Sequence, residues 1–260
     1  EFRRVLFRSL HLRGFNVGNL LGLKRLNVSM ANVVVRSAQS LSLAEKRILI
    51  AGVAKLRGTN ELVTLSAQEY AETYDVSLDT AYSQLKSAVE NIFDRYMQFQ
   101  TNDSKSEGVA RIRWIDGYKY FDDEGYVSFG FGNQIFPYLF ELNQGFFTKY
   151  QLKQAAALRS VHSWRLLELF EQMRPEKNGK KPEDGWLHLK LEEFWHAMEA
   201  TESYKSNFGL LRKWVIEPAV AELTEKDNWI IEWEPIKRGR KVAALKFKFE
   251  RNPQGQLSLD

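Results

Sequence analysis

The sequence predicts an α+β fold in which a group of helices followed by a β-hairpin occurs twice. In the second copy, apolar side chains fall at helical spacing at positions 208, 211, 215 and 219. Residues 229–249 then alternate between apolar and polar side chains on either side of a glycine-containing turn, which is typical of a hairpin. The same order of helices and hairpin occurs between residues 42 and 131. Two tandem winged-helix (helix-turn-helix) domains are therefore predicted.

The composition indicates a protein with a substantial core and no thiol chemistry. The chain has 260 residues, is 44% hydrophobic and contains 17 Phe and 7 Trp, which is enough apolar material for one or two domains. It has no cysteine, which excludes disulfides, thiolate nucleophiles and cysteine zinc ligands. No apolar run reaches the roughly 18 residues that a membrane-spanning helix needs, so we expect a soluble cytoplasmic protein without membrane contacts.

The first 29 residues differ in composition from the rest of the chain. They contain six basic residues against Glu1 alone, whereas the remaining chain has 31 basic and 32 acidic residues. We interpret residues 1–29 as a non-native or disordered leader, with Met30 as a plausible natural start; a transit peptide or a basic arm is the alternative. Because the excess positive charge lies in this leader, only local clusters of cations can indicate a nucleic-acid site.

The first domain is predicted to span residues 30–152. Ser42 and Ser66 each stand three residues before a glutamate, and this capping-box pattern predicts a helix after each serine. A third helix is expected from Leu78 to about Arg95. The strands are expected at residues 62–65, 96–100, 109–120, 126–131 and 145–152, with a polar loop over residues 101–108 and a short helix over residues 133–142.

The second domain is predicted to span residues 153–260. Ser163 is expected to cap a helix over residues 164–173, in which Arg165 and Glu168 should form a surface ion pair because they are three residues apart. A strand at residues 187–189 and a helix at residues 192–200 precede the basic helix that starts near residue 204. Four tryptophans are expected in the core rather than as platforms for stacked bases: Trp195, Trp214, Trp229 and Trp233.

Candidate DNA-binding residues cluster on that last helix and on the hairpin tip that follows it. The helix carries Lys205, Ser206, Asn207, Arg212 and Lys213, and the tip carries Lys237, Arg238, Arg240 and Lys241. A helix with a basic face can enter the major groove while a basic wing lies along phosphates. Two alternatives stay open: the helix charges form a solvated face, and Asn207 is only a local cap.

In the first domain, Lys86 on the third helix is the candidate DNA contact. Asp79 near the start of that helix places a negative charge where phosphate would approach, so the helix is expected to read few bases.

A search for catalytic motifs gives a negative result. The histidines beyond the leader, His162, His188 and His196, lack metal-ligand spacing. Gly179-Lys180 lacks the upstream glycine of a phosphate-binding loop, and no glycine-rich dinucleotide turn is present. We therefore expect a protein that acts by binding, with no catalytic residue, metal or cofactor. An enzyme with an unrecognised site is a weaker alternative.

Several motifs carry a resemblance to one family. They are Ser42-Leu-Ala-Glu-Lys-Arg-Ile-Leu49, Phe147-Thr-Lys-Tyr-Gln-Leu152, Ser163-Trp-Arg-Leu-Leu-Glu-Leu169, and the order Phe208–Val215, Glu217-Pro-Ala219, Trp233-Glu-Pro-Ile-Lys-Arg-Gly-Arg-Lys241. With them, the chain from about residue 32 to residue 249 resembles the iteron-binding replication initiator (Rep) proteins of theta-replicating bacterial plasmids.

The resemblance implies a plasmid replication initiator with two winged-helix domains. The C-terminal domain would be the main reader of double-stranded DNA at the direct repeats of an origin, and the N-terminal domain would mix backbone contacts, dimerisation and partner binding. Monomers would help open the origin and recruit the host initiator ATPase and replicative helicase. Dimers would repress the protein's own promoter and so control plasmid copy number. A winged-helix transcriptional regulator without initiator activity is the alternative.

Overall fold

The computed structural model describes residues 22–58, 61–103, 106–121, 124–139, 147–176 and 178–253. The expectations for residues 1–21 and 254–260 lie outside these ranges, as does the end of the helix expected at residues 133–142.

The first domain is a winged helix with an inserted hairpin. Its elements in chain order are β1 (Asn27–Ala31), α1 (Asn32–Arg36), α2 (Leu43–Lys55), β2 (Leu62–Ser66), α3 (Ala67–Tyr74), α4 (Leu78–Phe93), β3 (Tyr96–Asp103), β4 (Ser106–Arg113), β5 (Ile115–Phe121), β6 (Tyr126–Phe131), α5 (Phe136–Leu139), β7 (Phe147–Gln151) and α6 (Leu152–Ala156). Both expected capping boxes are confirmed: Ser42 and Ser66 accept from the backbone N–H three residues on, and Glu45 and Glu69 accept from the serine N–H groups.

The expected polar loop over residues 101–108 is wrong for residues 101–103 and 106–108, while residues 104 and 105 lie outside the described ranges. Strands β3 and β4 pair in register from Tyr96–Arg113 to Asp103–Ser106, so these polar residues continue a long two-stranded sheet. Since backbone pairing satisfies the hydrogen-bonding groups of a strand whatever its side chains, a two-stranded ribbon can continue through residues without apolar alternation.

The expected boundary of the leader is wrong for residues 22–29. Strand β1 begins at Asn27 and pairs antiparallel with β7, and Val28 and Leu23 are buried in the core. Leu23 and Val28 are apolar residues within a basic stretch. Their burial contributes to the packing of the core. The folded protein therefore includes residues before Met30, which lies in the middle of β1.

The second domain repeats the plan of the first. Its elements are α7 (Val161–Gln172), β8 (Asp184–Lys190), α8 (Leu191–Met198), α9 (Glu202–Ser206), α10 (Phe208–Leu211), a π-helical turn (Arg212–Ile216), α11 (Glu217–Asp227), β9 (Trp229–Arg238) and β10 (Lys241–Arg251). Helix α7 is capped by Ser160 rather than by Ser163, whose hydroxyl is buried within the helix.

The strand orders of the two domains correspond. The first sheet has the order β2-β6-β5 and the second has the order β8-β10-β9, so in each domain the early strand pairs with the last strand of the hairpin. The duplication expected from the sequence is therefore two winged-helix domains, each with a helix packed beside a three-stranded sheet.

A buried polar cluster joins the domains. Glu168 on α7 accepts hydrogen bonds from Lys46 Nζ on α2 (2.9 Å) and from the Tyr150 hydroxyl on β7 (3.0 Å), and Arg165 Nη1 lies 3.4 Å from the same carboxylate. Arg165 Nε also donates to the carbonyl oxygen of Ala197 on α8 (2.9 Å).

The surface pair expected between Arg165 and Glu168 is therefore wrong. Both side chains are almost fully buried, because α7 packs against the first domain on one side and the second domain on the other. Spacing along a helix places two side chains on one face but does not say whether that face meets solvent.

Candidate nucleic-acid interface

Asn207 separates two helices in the region expected to contact DNA. Its backbone is extended, and its side-chain Oδ1 accepts hydrogen bonds from the backbone N–H groups of Gly209 (2.9 Å) and Leu210 (3.3 Å). Asn207 therefore caps the helix that follows it, since an asparagine oxygen can satisfy the first free N–H groups of a helix. Residues 208–227, made of α10, the π-helical turn and α11, are called the recognition helix below.

Lys205 and Ser206 were expected on the same helix as Arg212, and this is wrong. They lie on α9, before the break at Asn207. Lys205 Nζ is 2.7 Å from Glu202 Oε1, and the Ser206 hydroxyl donates to the carbonyl oxygen of Ser203 (3.1 Å). Both side chains are exposed at the approach to the recognition helix.

The recognition helix widens over one turn at residues 212–216. Pro218 follows directly, within the first turn of α11. A proline has no N–H to donate and its ring clashes with the carbonyl four residues earlier, so the preceding turn relaxes into the wider spacing. Such π turns are frequent at functional sites.

The widened turn presents three consecutive side chains to solvent: Arg212, Lys213 and Trp214. On the opposite face, Leu211, Val215, Ile216, Ala219 and Leu223 are buried. The core position expected for Trp214 is wrong, because its side chain is 56% exposed and Lys213 Nζ lies 4.9 Å from its ring centroid. Trp229 is buried as expected, while Trp195 and Trp233 are half-buried.

The side chain of Arg212 contacts both an acidic and an aromatic residue. Its Nε lies 2.6 Å from Glu217 Oε1, and its guanidinium carbon lies 5.6 Å from the ring centroid of Trp233 on β9. The Trp233 ring in turn stacks against the buried Phe247 at a centroid distance of 6.2 Å. Arg212 therefore connects the recognition helix to β9, the strand that leads to the hairpin tip.

The tip of the β9–β10 hairpin is a concentrated positive surface. Arg238 pairs with Lys241 across a two-residue turn in which Gly239 has φ of 64°, a backbone conformation that favours glycine. Lys237, Arg238, Arg240 and Lys241 are all exposed, and none of them has an acidic partner within the described residues. Cations without partners at the end of a hairpin are suited to contact phosphates.

The corresponding helix of the first domain, α4, is electrostatically different. Asp79 lies in its first turn, and Ser77 caps it by accepting from Thr80 N. Lys86 is exposed on this helix with its Nζ 5.0 Å from the ring centroid of Tyr120 on β5. Lys86 therefore lies near β5 of its own domain, on a helix whose first turn carries an acid.

Sequence reasoning overlooked Glu217, Trp233 and Trp214 as members of this surface. Pro218 was the available signal, because a proline inside a helical pattern predicts a local irregularity that rotates the residues before it. The contacts of Arg212 with Glu217 and Trp233 depend on that rotation and on the fold of the hairpin.

The chain matches family models and solved structures over most of its length. The model for the first winged-helix domain (WH1) of the initiator replication protein matches residues 27–171, and the model for the second (WH2) matches residues 190–249. The crystal structure of the Pi initiator protein in complex with iteron DNA has a TM-score of 0.73 at 21% identity, and the match covers 88% of this chain and 99% of that chain.

A smaller match is the crystal structure of the WH1 domain of MSBI1.176, a replication protein isolated from a multiple sclerosis patient. It has a TM-score of 0.33 at 26% identity, covering 38% of this chain and 79% of that one. No curated protein sequence matches the chain. No group of His, Asp or Glu side chains in the described ranges could hold a metal ion, and no helix there is long and apolar enough to cross a membrane.

Proposed function

Because the chain belongs to the family of initiator replication proteins with two winged-helix domains, we propose that it starts plasmid replication by binding double-stranded DNA at direct repeats of an origin. The observation that carries this proposal is the joint surface of recognition helix and wing in the second domain. There, three side chains project from a widened helical turn, and four cations without acidic partners among the described residues stand on the adjacent hairpin.

In this proposal the second domain, about residues 153–260, reads sequence. Arg212 and Lys213 enter the major groove, where bidentate contacts distinguish bases. The four wing cations, Lys237, Arg238, Arg240 and Lys241, contact phosphates and fix the register. Lys205 and Ser206 contact the backbone as the chain approaches the groove, and Asn207 contributes by fixing the start of the helix rather than by reading a base.

The first domain, about residues 30–152 together with β1, contributes backbone contacts through Lys86 and a surface for self-association. The full chain exists as a dimer in equilibrium with a monomer. The monomer helps open the origin and engages the host initiator ATPase and replicative helicase in the bacterial cytoplasm. The dimer represses its own promoter. The match to an initiator solved with iteron DNA supports the fold that this division of labour requires.

A winged-helix regulator that only binds an operator is the second candidate, because one basic recognition surface is sufficient for that activity. Selection of bound duplexes from a randomised library by the full chain would supply the preferred sequence. A plasmid carrying tandem copies of that sequence next to the gene should then replicate in a bacterial host, and removal of the repeats should abolish replication. Binding with no replication from any such plasmid would favour the regulator.

A further inference from the structure

Arg212 differs from the other cations of the recognition helix in how firmly it is placed. Its Nε donates a hydrogen bond to Glu217 Oε1 at 2.6 Å, and its guanidinium carbon lies 5.6 Å from the ring centroid of Trp233, whose ring stacks on the core residue Phe247. Lys226 pairs only with its neighbour Glu225, and Lys213 lies over the exposed Trp214. Arg212 alone, among the described cations of the recognition helix, is fixed by both an acid and a ring anchored in the core.

The nitrogens that remain available on Arg212 are the ones that read a base. An arginine has five N–H donors, one on Nε and four on the two Nη atoms. With Nε engaged, Nη1 and Nη2 have no hydrogen-bond partner among the described residues, and the side chain is 58% exposed. This terminal pair matches the O6 and N7 acceptors of guanine, which is the commonest specific contact in the major groove.

We propose that Glu217 is a positioning residue that orients Arg212 toward a guanine, with Trp233 supporting the guanidinium from behind. The inference rests on the proposed function and adds to it the residue that makes one base contact selective. Without the carboxylate, the long Arg212 side chain can turn to the nearest phosphate, and a phosphate contact carries no sequence information. Glu217 thus converts a cation that any DNA attracts into one that prefers a particular base pair.

The competing explanation predicts the opposite change in DNA affinity when Glu217 is removed. If Glu217 were only a surface charge, its carboxylate would repel phosphate, and removing it would tighten binding to every duplex. If it positions Arg212, removing it should weaken binding to the preferred duplex relative to a scrambled one. Exposed ion pairs contribute little to folding, so the change can be made without losing the fold.

The test uses the full chain and a duplex that the wild-type protein selects from a randomised library, with a scrambled duplex for comparison. Glu217→Ala, which removes the acceptor for Arg212 Nε, should lower the ratio of the two affinities about tenfold, in the range of one bidentate base contact. The loss should map to the same base pair that Arg212→Ala relaxes, and the double variant should lose no more than Arg212→Ala alone. Circular dichroism and thermal unfolding should be unchanged by Glu217→Ala, because the pair that it removes is exposed.

Glu225→Ala is the matched control, since it removes the same charge from the same helix but from a carboxylate that pairs with Lys226. It should leave the affinity ratio unchanged. The inference is overturned if Glu217→Ala behaves like Glu225→Ala, or if the Glu217→Ala and Arg212→Ala losses multiply in the double variant. A wild-type chain that selects no sequence at all would overturn the proposed function as well, so the two failures are distinguishable.

Discussion

Lys46 carries an ammonium group in the protein interior, within the cluster around Glu168. Its side chain is completely buried, and its Nζ donates to both Glu168 and Gln39 at 2.9 Å. Burial lowers the pKa of Lys46 from 10.5 to about 8, against the opposing attraction of Glu168. The charge is thus paired and hydrogen-bonded, yet it remains less favourable in the folded chain than in water.

A pH-dependent stability follows from that lowered pKa. Between pH 8 and 10.5 the unfolded chain binds more protons than the folded chain, so the contribution of Lys46 to the free energy of unfolding should rise with pH across this window. Chemical denaturation of the wild type and of Lys46→Met between pH 7 and 10 would measure it. The variant should lack the rise that Lys46 causes. Equal slopes in the two proteins would contradict the assignment.

The comparison with Lys46→Met also distinguishes the effect of Lys46 on the pH dependence of stability from the effect of the buried tyrosines. Burial raises the pKa of Tyr150 and of Tyr74, which lowers stability as the pH exceeds the ordinary tyrosine value of about 10. At pH 7, Lys46→Met should itself be destabilised by about 3–5 kcal/mol, because Glu168 loses one partner of a buried ion pair.

The wing and the recognition helix should respond differently to loss of charge. Arg240→Ala should weaken binding to all duplexes alike and flatten the dependence of log affinity on log salt by about one unit. Arg212→Ala should cost roughly 1–3 kcal/mol, mainly on the selected duplex. Salt-titrated binding to selected and scrambled duplexes measures both effects. Losses in the same ratio on both duplexes for both variants would refute this division.

For individual residues, the sequence predicts which side chains are charged but not which residues they contact. The cations of the wing are apparent because they surround a glycine in a turn between two alternating stretches. The Arg165–Glu168 pair was misjudged as a surface pair, because its burial depends on a second domain and on Lys46, 122 residues away along the chain. Long-range partners of this kind have no local signature.

Among the elements, β1 has the clearest consequence for experiments. A chain that begins at residue 22 keeps β1 and its pairing with β7, whereas a chain that begins at residue 30 loses the buried side chains of Leu23 and Val28. Each such side chain contributes about 1.5–3 kcal/mol when fully buried. The midpoint of chemical denaturation should therefore fall for the second truncation and stay at the full-length value for the first.

The two truncations also test the leader. Both should lose some affinity for scrambled duplexes, since the cations of residues 1–21 attract phosphate. Sequence preference should survive removal of residues 1–21. A large loss of sequence preference on removal of residues 1–21 would show that these residues contribute to specific DNA binding.

Elements with strong local signals were predicted well, and those set by tertiary pairing were not. The capping boxes at Ser42 and Ser66 are local, and both helices begin there. Strand β1 lies in a stretch whose composition is unlike a strand, and it exists because β7 pairs with it. The break at Asn207 was not predicted, since Asn207 was considered only as a local cap and the helix before it has no buried residue that would give an apolar pattern.

For the whole molecule, we propose that the open edge of the β3–β4 ribbon is the contact between the two copies of the proposed dimer. Val109 on β4 is 53% exposed, and β4 has no second neighbour strand among the described residues. A lysine on an edge strand opposes strand pairing with another chain. Val109→Lys should therefore shift the full chain from dimer toward monomer in analytical ultracentrifugation.

Ile230→Lys provides the control for that measurement. Ile230 is another exposed β-branched residue, 42% exposed on the edge strand β9 of the second domain. This variant should keep the wild-type distribution of dimer and monomer. If Ile230→Lys dissociates the dimer and Val109→Lys does not, the contact lies in the second domain instead.

The architecture as a whole was the most predictable level. Helix, strand, helix, helix and hairpin recur in the same order in both halves, and the two sheets share one strand order. The repeat does not predict that α7 packs against both domains. The neighbours that bury its two faces come together only in the folded chain.

The pairing of β1 with β7 also has a consequence for how the protein is made. The two strands are held together by the ladder and by a hydrogen bond from Thr148 to Asn32, 116 residues apart along the chain. During synthesis the ribosome releases β1 long before its partner exists, so the first domain cannot close until β7 has left the exit tunnel. For that interval we expect the nascent chain to expose an unpaired strand and its apolar face, the kind of surface that chaperones bind.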